Sequence, residues 1–178
     1  MSLEFSRRSF MKFTALTAVA VAGSSLLSGC DSSSSTLYPS GAFGKELTLM
    51  GKFTVSDPKY DADAKTLTCA FKGTCTSDTP LAIRSKFFQV EVLRDKKKTI
   101  YTGETPNCPL TLSQSNYYLQ KKESIETTMT LTGIDLQNGD VVSVMYFPRL
   151  ESSSNGNGQA YTDLHATWKG TYKDGSFT

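Results

Sequence analysis

The sequence predicts an all-β fold, a β-sandwich of about seven antiparallel strands, on three observations. Apolar residues from Glu46 onward recur with a period of two, the repeat of a strand with one buried face. Clusters of Ser, Asp, Asn, Gly and Pro separate the alternating runs. No amphipathic helical stripe of about ten residues follows the leading segment.

In chain order, Leu47, Leu49, Phe53 and Val55 share one parity, with Thr48, Lys52 and Thr54 on the other. Ser56-Asp57-Pro58 breaks that run as a turn. Leu67, Cys69, Phe71, Gly73 and Cys75 form the inward set of the next strand, which runs into the turn Ser77-Asp78-Thr79-Pro80. Phe88, Val90 and Val92 alternate with Gln89 and Glu91; Arg94–Lys98 turns the chain, and a short strand covers Thr99–Thr102. Residues 110–122 show no clear period and leave room for a short helix. Ile125, Thr127, Met129 and Leu131 resume the alternation. After the turn Gln137-Asn138-Gly139-Asp140, Val141–Phe147 is apolar on both faces, as suits a central strand. Glu151–Gln159, around the turn Ser152–Gly158, is the longest polar connection, and Leu164, Ala166, Trp168 and Tyr172 give the last strand its inward face. The outward positions are rich in Thr, whose branched side chain packs well on a pleated surface.

Residues 1–29 read as an export signal. Ser6-Arg7-Arg8-Ser9-Phe10-Met11-Lys12 sets the pair Arg7 and Arg8 before an uncharged run from Phe13 to Leu27. That run is shorter than the roughly 20 apolar residues of a permanent membrane span. Leu27-Ser28-Gly29-Cys30 then resembles a bacterial lipobox, and the whole segment resembles the signals of twin-arginine-exported lipoproteins. The resemblance implies cleavage before Cys30, lipidation of its thiol, and a place at the extracytoplasmic face of the cell membrane. Ser-rich residues 30–45 read as a flexible tether, and residues 46–178 as the folded domain.

Charge narrows the classes of function. Of 19 basic and 17 acidic residues, Arg7, Arg8, Lys12 and Glu4 lie in the signal, so the remainder balances at 16 of each. A neutral chain has no bulk electrostatic attraction to nucleic acid, which is not an expected partner.

The strand order is similar to that of immunoglobulin-like domains in uncharacterised, lipid-anchored bacterial surface proteins. The matching stretches are Leu67–Cys75, Lys86–Arg94, and Leu119–Leu131 leading into Val141–Phe147. Thr76-Ser77-Asp78 stands where that family usually carries asparagine-glycine. The resemblance implies the fold and no particular activity.

Beyond Cys30 the cysteines are Cys69, Cys75 and Cys108. Cys69 and Cys75 lie about 20 Å apart along one extended strand, too far for a disulfide. Two alternatives stand: Cys75 bridges Cys108 and Cys69 is a buried hydrophobe, or all three are free thiols. Asp57, Asp61 and Asp63 lack calcium-loop spacing, and His165 is the only histidine, so no metal or cofactor is expected. No nucleophile elbow, phosphate loop or dinucleotide fingerprint occurs, and the chain is not expected to be an enzyme. Lys96-Lys97-Lys98 reads as a solvated hairpin tip, Trp168 as core, and Tyr117-Tyr118 as candidates for stacking.

Two classes of function remain. One is a non-catalytic binding or interaction module, anchored to the membrane by lipid and meeting an unknown protein or small-ligand partner. The alternative is an accessory subunit or small-ligand carrier of an exported redox or transport system. If the first holds, the 152–158 loop is the candidate contact, together with whichever of the Asp57–Asp63 and Arg94–Lys98 turns shares its end.

Overall fold

Alternation in the sequence becomes alternation of burial in the computed structural model, which describes residues 38–107, 109–115, 117–148 and 164–178. Thirteen strands occur among the described residues: β1 (Ser40–Ala42), β2 (Leu47–Thr48), β3 (Gly51–Asp61), β4 (Thr66–Cys75), β5 (Leu81–Ile83), β6 (Phe88–Arg94), β7 (Lys97–Thr102), β8 (Leu110–Leu112), β9 (Tyr117–Leu119), β10 (Ser124–Thr132), β11 (Val141–Tyr146), β12 (Ala166–Lys173) and β13 (Ser176–Phe177). One sheet runs β1-β12-β11-β6-β7 with β13 beside β12; the other runs β2-β3-β4-β10-β8, and β5 pairs with β9 alone. The two large sheets make an immunoglobulin-like β-sandwich.

The inward parity is the expected one. Phe53, Val55, Leu67, Cys69, Phe71, Phe88, Val90, Met129, Leu131, Val142, Val144, Ala166 and Trp168 are all buried. Removing side chains of this size from water stabilises the fold by roughly 1.5–3 kcal/mol each. An aromatic cluster joins the sheets. Tyr146 lies 4.8–5.2 Å between ring centres from Phe53, Phe71 and Phe88. Its hydroxyl donates to the Ala82 carbonyl at 3.4 Å, and burial raises its pKa. The Phe53 ring needs space on the neighbouring backbone. A Cβ on Gly73, its partner across β3 and β4, would stand 2.7 Å from that ring, and one on Gly51 equally close.

Several expectations require correction. The strands outnumber seven, and β1 pairs with β12 in parallel, so the sandwich is not wholly antiparallel. The fold begins before Glu46. Ser40–Ala42 is already a strand, and the Trp168 indole donates to the Lys45 carbonyl at 2.8 Å, so residues 40–45 belong to the domain, not the tether. Ser56-Asp57-Pro58 is no turn. Strand β3 continues through it with a register shift between Ser56 and Lys59, and Asp57 takes a φ of 49°, which makes a bulge. Residues 110–122 hold β8 and β9 and no helix among those described. A 3-10 turn instead occupies Ser85–Phe87, at the start of the expected Lys86–Arg94 strand.

Register defines two ends. Tyr146 faces Phe88 and Ala166 at one; Val141 faces Leu93 and Thr171 at the other. These rungs lie roughly 17 Å apart at the rise of an extended strand. Strand β1 runs alongside the beginning of β12, with Ser40 opposite Thr167, so the chain enters the domain at the Tyr146 end.

Candidate functional site

At the far end, the β6–β7 hairpin turns over Asp95 and Lys96, with φ values of 48° and 66°. Two successive left-handed residues match the twist of a two-residue hairpin. Lys97, Thr99 and Tyr101 pair with Arg94, Val92 and Val90, so they share the core-facing side of the sheet. Yet Lys97 and Thr99 are exposed, because the facing sheet ends in the three-residue strand β8 and does not extend under β7. The uncovered strip makes a groove of about 320 Å³ over Val92 and Tyr101, rimmed by Arg94, Asp95, Lys97 and Asp135.

Arg94 closes the end of this groove. Its Nε donates to Asp140 Oδ1 at 2.8 Å, and Nη2 donates to Asp140 Oδ2 and to the Asp135 carbonyl, each at 2.7 Å. The Gln137 backbone N–H also donates to Asp140 Oδ2, at 2.8 Å. Asp140 is buried, and hydrogen bonding from Arg94 holds its pKa below the usual carboxylate value. Arg94 is therefore committed to holding the end together. The groove retains an apolar floor with the Lys97 ammonium and the Asp95 and Asp135 carboxylates around it, a surface suited to binding an extended segment or small molecule. Sequence reading treated Arg94 and Asp140 as turn residues. Their pairing had no local signal, since 46 positions separate them.

The Tyr146 end has a different character. Strand β5 and the following turn are fastened there, through Tyr146 to Ala82 and from the Phe147 N–H to the Phe87 carbonyl at 2.9 Å. Strand β9 comes with it, and Tyr117 and Tyr118 are exposed. The Arg84 guanidinium lies 5.3 Å over the Tyr118 ring and donates to its hydroxyl. Lys86 and Glu104 flank a hollow of about 250 Å³ over Phe87 and Thr102. Tyr38 and Phe147 pack against the His165 ring at 5.2 and 5.1 Å.

The remaining sequence candidates separate clearly. Arg7, Arg8, Cys30 and Cys108 lie outside the described residues, as does the 152–158 loop. Of the two turns set beside that loop, Asp57–Asp63 and Arg94–Lys98, residues Asp61–Asp63 and Arg94 both lie at the end away from Tyr146. Lys65, beside the Asp61–Asp63 turn, pairs with Asp135 at 3.7 Å, and Asp135 with Arg94. Cys69 and Cys75 are buried free thiols in one strand. Burial pushes the Cys69 pKa up to about 12, and that of Cys75 upward as well. The alternative of a bridge from Cys75 to Cys108 involves a residue outside those described. The Cys75 sulfur is buried and donates to the Ser77 carbonyl at 3.5 Å. Asp61 accepts from the Ala64 N–H at 2.9 Å, and no group of three metal-binding side chains occurs among the described residues. Lys98 pairs with Glu91 at 2.9 Å, and Trp168 is buried as its parity required.

No family model and no curated protein matches this sequence. Among solved structures the chain is similar to the yjhA protein from Bacillus subtilis. Identity is 11% over 74% of this chain and 98% of that one, with a TM-score of 0.48.

Proposed function

We propose that this chain is a lipid-anchored, extracytoplasmic binding module without catalytic activity, exported by the twin-arginine route and held to the cell membrane through Cys30. The observation that carries the reading is the short distance in sequence between the lipobox and the fold. The first strand begins at Ser40, ten positions after Cys30. A flexible chain of that length spans about 17 Å on average, enough to clear the headgroups and no more. The groove beside Arg94 lies at the opposite end of the sandwich from this entry point. An anchored domain would hold it toward the cell exterior, where a protein or small-ligand partner meets it. Metabolic labelling with a fatty-acid analogue tests the anchor. The wild type incorporates label and Cys30→Ala does not; equal labelling of both would refute the reading. Replacing Arg7 and Arg8 together by Lys stops export, read as loss of protein from the cell surface.

A further inference from the structure

The end at which the chain enters the domain carries a surface of a particular composition. Five large apolar or aromatic side chains are exposed among the described residues, and three of them, Tyr38, Tyr117 and Tyr118, lie at this end. They are 50%, 40% and 42% exposed. The other two, Leu93 and Ile100, sit on the outer face of the β6–β7 hairpin. Two cations stand among the rings at the entry end: Arg84 over Tyr118, and Lys86 5.3 Å over Phe87. Acidic groups are present too, but Asp78 is held by Lys121, and Glu123 accepts from the Gln120 N–H at 2.9 Å. Glu104 faces Lys86 across the hollow.

Tyrosines beside arginine and lysine are the chemistry of a bilayer interface. The phenol ring lies among the upper acyl and glycerol groups with its hydroxyl in water, and an exposed ammonium such as that of Lys86 reaches lipid phosphates. Chain length brings this surface to the membrane. The Thr167 N–H donates to the Pro39 carbonyl at 2.9 Å, so the path is fixed from residue 39 onward. From Cys30 to Ser40 the chain extends at most about 35 Å. Turning the Arg94 end to the bilayer would spend roughly half of that in passing the domain.

We infer that the Tyr146 end, through Tyr38, Tyr117, Tyr118 and Lys86, seats on the headgroup layer of the bilayer that holds Cys30. The inference rests on the lipid anchor proposed above and adds an orientation to it: the domain stands on this end with the Arg94 groove outward.

Hydroxyl-radical footprinting tests it, comparing lipidated protein in phosphatidylcholine vesicles containing phosphatidylglycerol with the Cys30→Ala chain in solution. Oxidation of Tyr38, Tyr117 and Tyr118 falls about three-fold or more on the vesicles, while Leu93 and Ile100 are unchanged. Unchanged oxidation of the tyrosines overturns the seat, and so does protection of Leu93 and Ile100 in their place. The intact mass of the mature chain reports the lipid on Cys30 separately. If that lipid is missing, the anchor reading fails by itself. Coupling Cys30 to a maleimide phospholipid in a Cys108→Ser background then puts the same footprint to the seat alone.

Discussion

Arg94 and Asp140 are joined by two parallel hydrogen bonds, of 2.8 and 2.7 Å, that tie the last residue of β6 to the residue just before β11. The Asp140 backbone extends the tie, since its carbonyl accepts from the Tyr172 N–H of β12 at 2.8 Å. One residue, through its buried carboxylate and its backbone carbonyl, thus holds three strands of a sheet at the end where the groove opens.

Removing the guanidinium would leave Asp140 buried without its main partner. Arg94→Ala should destabilise the domain by about 2 kcal/mol, less than for a fully enclosed pair because Arg94 keeps a third of its surface in water. Arg94→Lys should recover only part of the loss, since an ammonium cannot make the two parallel bonds. Urea midpoints of the three proteins check both statements.

The same pair makes stability depend on pH. The Asp140 pKa is lowered in the fold, chiefly by the Arg94 hydrogen bond, so at acid pH the unfolded chain binds more protons. The contribution is complete above the ordinary carboxylate value and is lost as pH falls through the lower, folded value. Unfolding midpoints measured from about pH 7 down to about pH 3 should decline in the wild type. In Arg94→Ala the part of that decline due to Asp140 should shrink or reverse, because burial without the partner raises a carboxylate pKa.

Phe53 occupies space that only glycine leaves. Gly73→Ala should cost about 1–3 kcal/mol, because its Cβ would lie 2.7 Å from the ring in a packed core. Combining it with Phe53→Leu should cost less than the sum of the two single changes. A double-mutant cycle in urea measures the difference.

The two thiols of β4 should be chemically silent. In a Cys30→Ala, Cys108→Ser chain, a thiol reagent at about pH 8 should titrate neither Cys69 nor Cys75 until denaturant is added, when both react. One reactive thiol in the native state would show that Cys75 is open at the strand end.

Domain limits can be tested through Trp168. Deleting residues 31–37 should leave its emission unchanged. Extending the deletion through residue 45 removes the β1 pairing and the carbonyl that its indole donates to. Emission should then shift to the red and thermal stability should fall.

Much of the fold was legible in the chain because a half-buried strand writes its burial at every second residue. Leu67 to Cys75, Ile125 to Leu131 and Ala166 to Trp168 all face the core as their parity demanded. The pattern weakened where strands shrink to two or three residues, as at β1, β8 and β9, since so short a run holds at most two inward positions. It misled at Ser56-Asp57-Pro58, where turn-forming residues serve a bulge inside a longer strand.

The sequence by itself determined the sandwich, its inward faces, the burial of Trp168 and the motif around Cys30, all of which depend on neighbours along the chain. Only the tertiary structure decided that Arg94 belongs to Asp140 and that the short strand β1 runs parallel to β12. Those relations join residues tens of positions apart. Strand order and register bring them together, and neither leaves a trace in local periodicity.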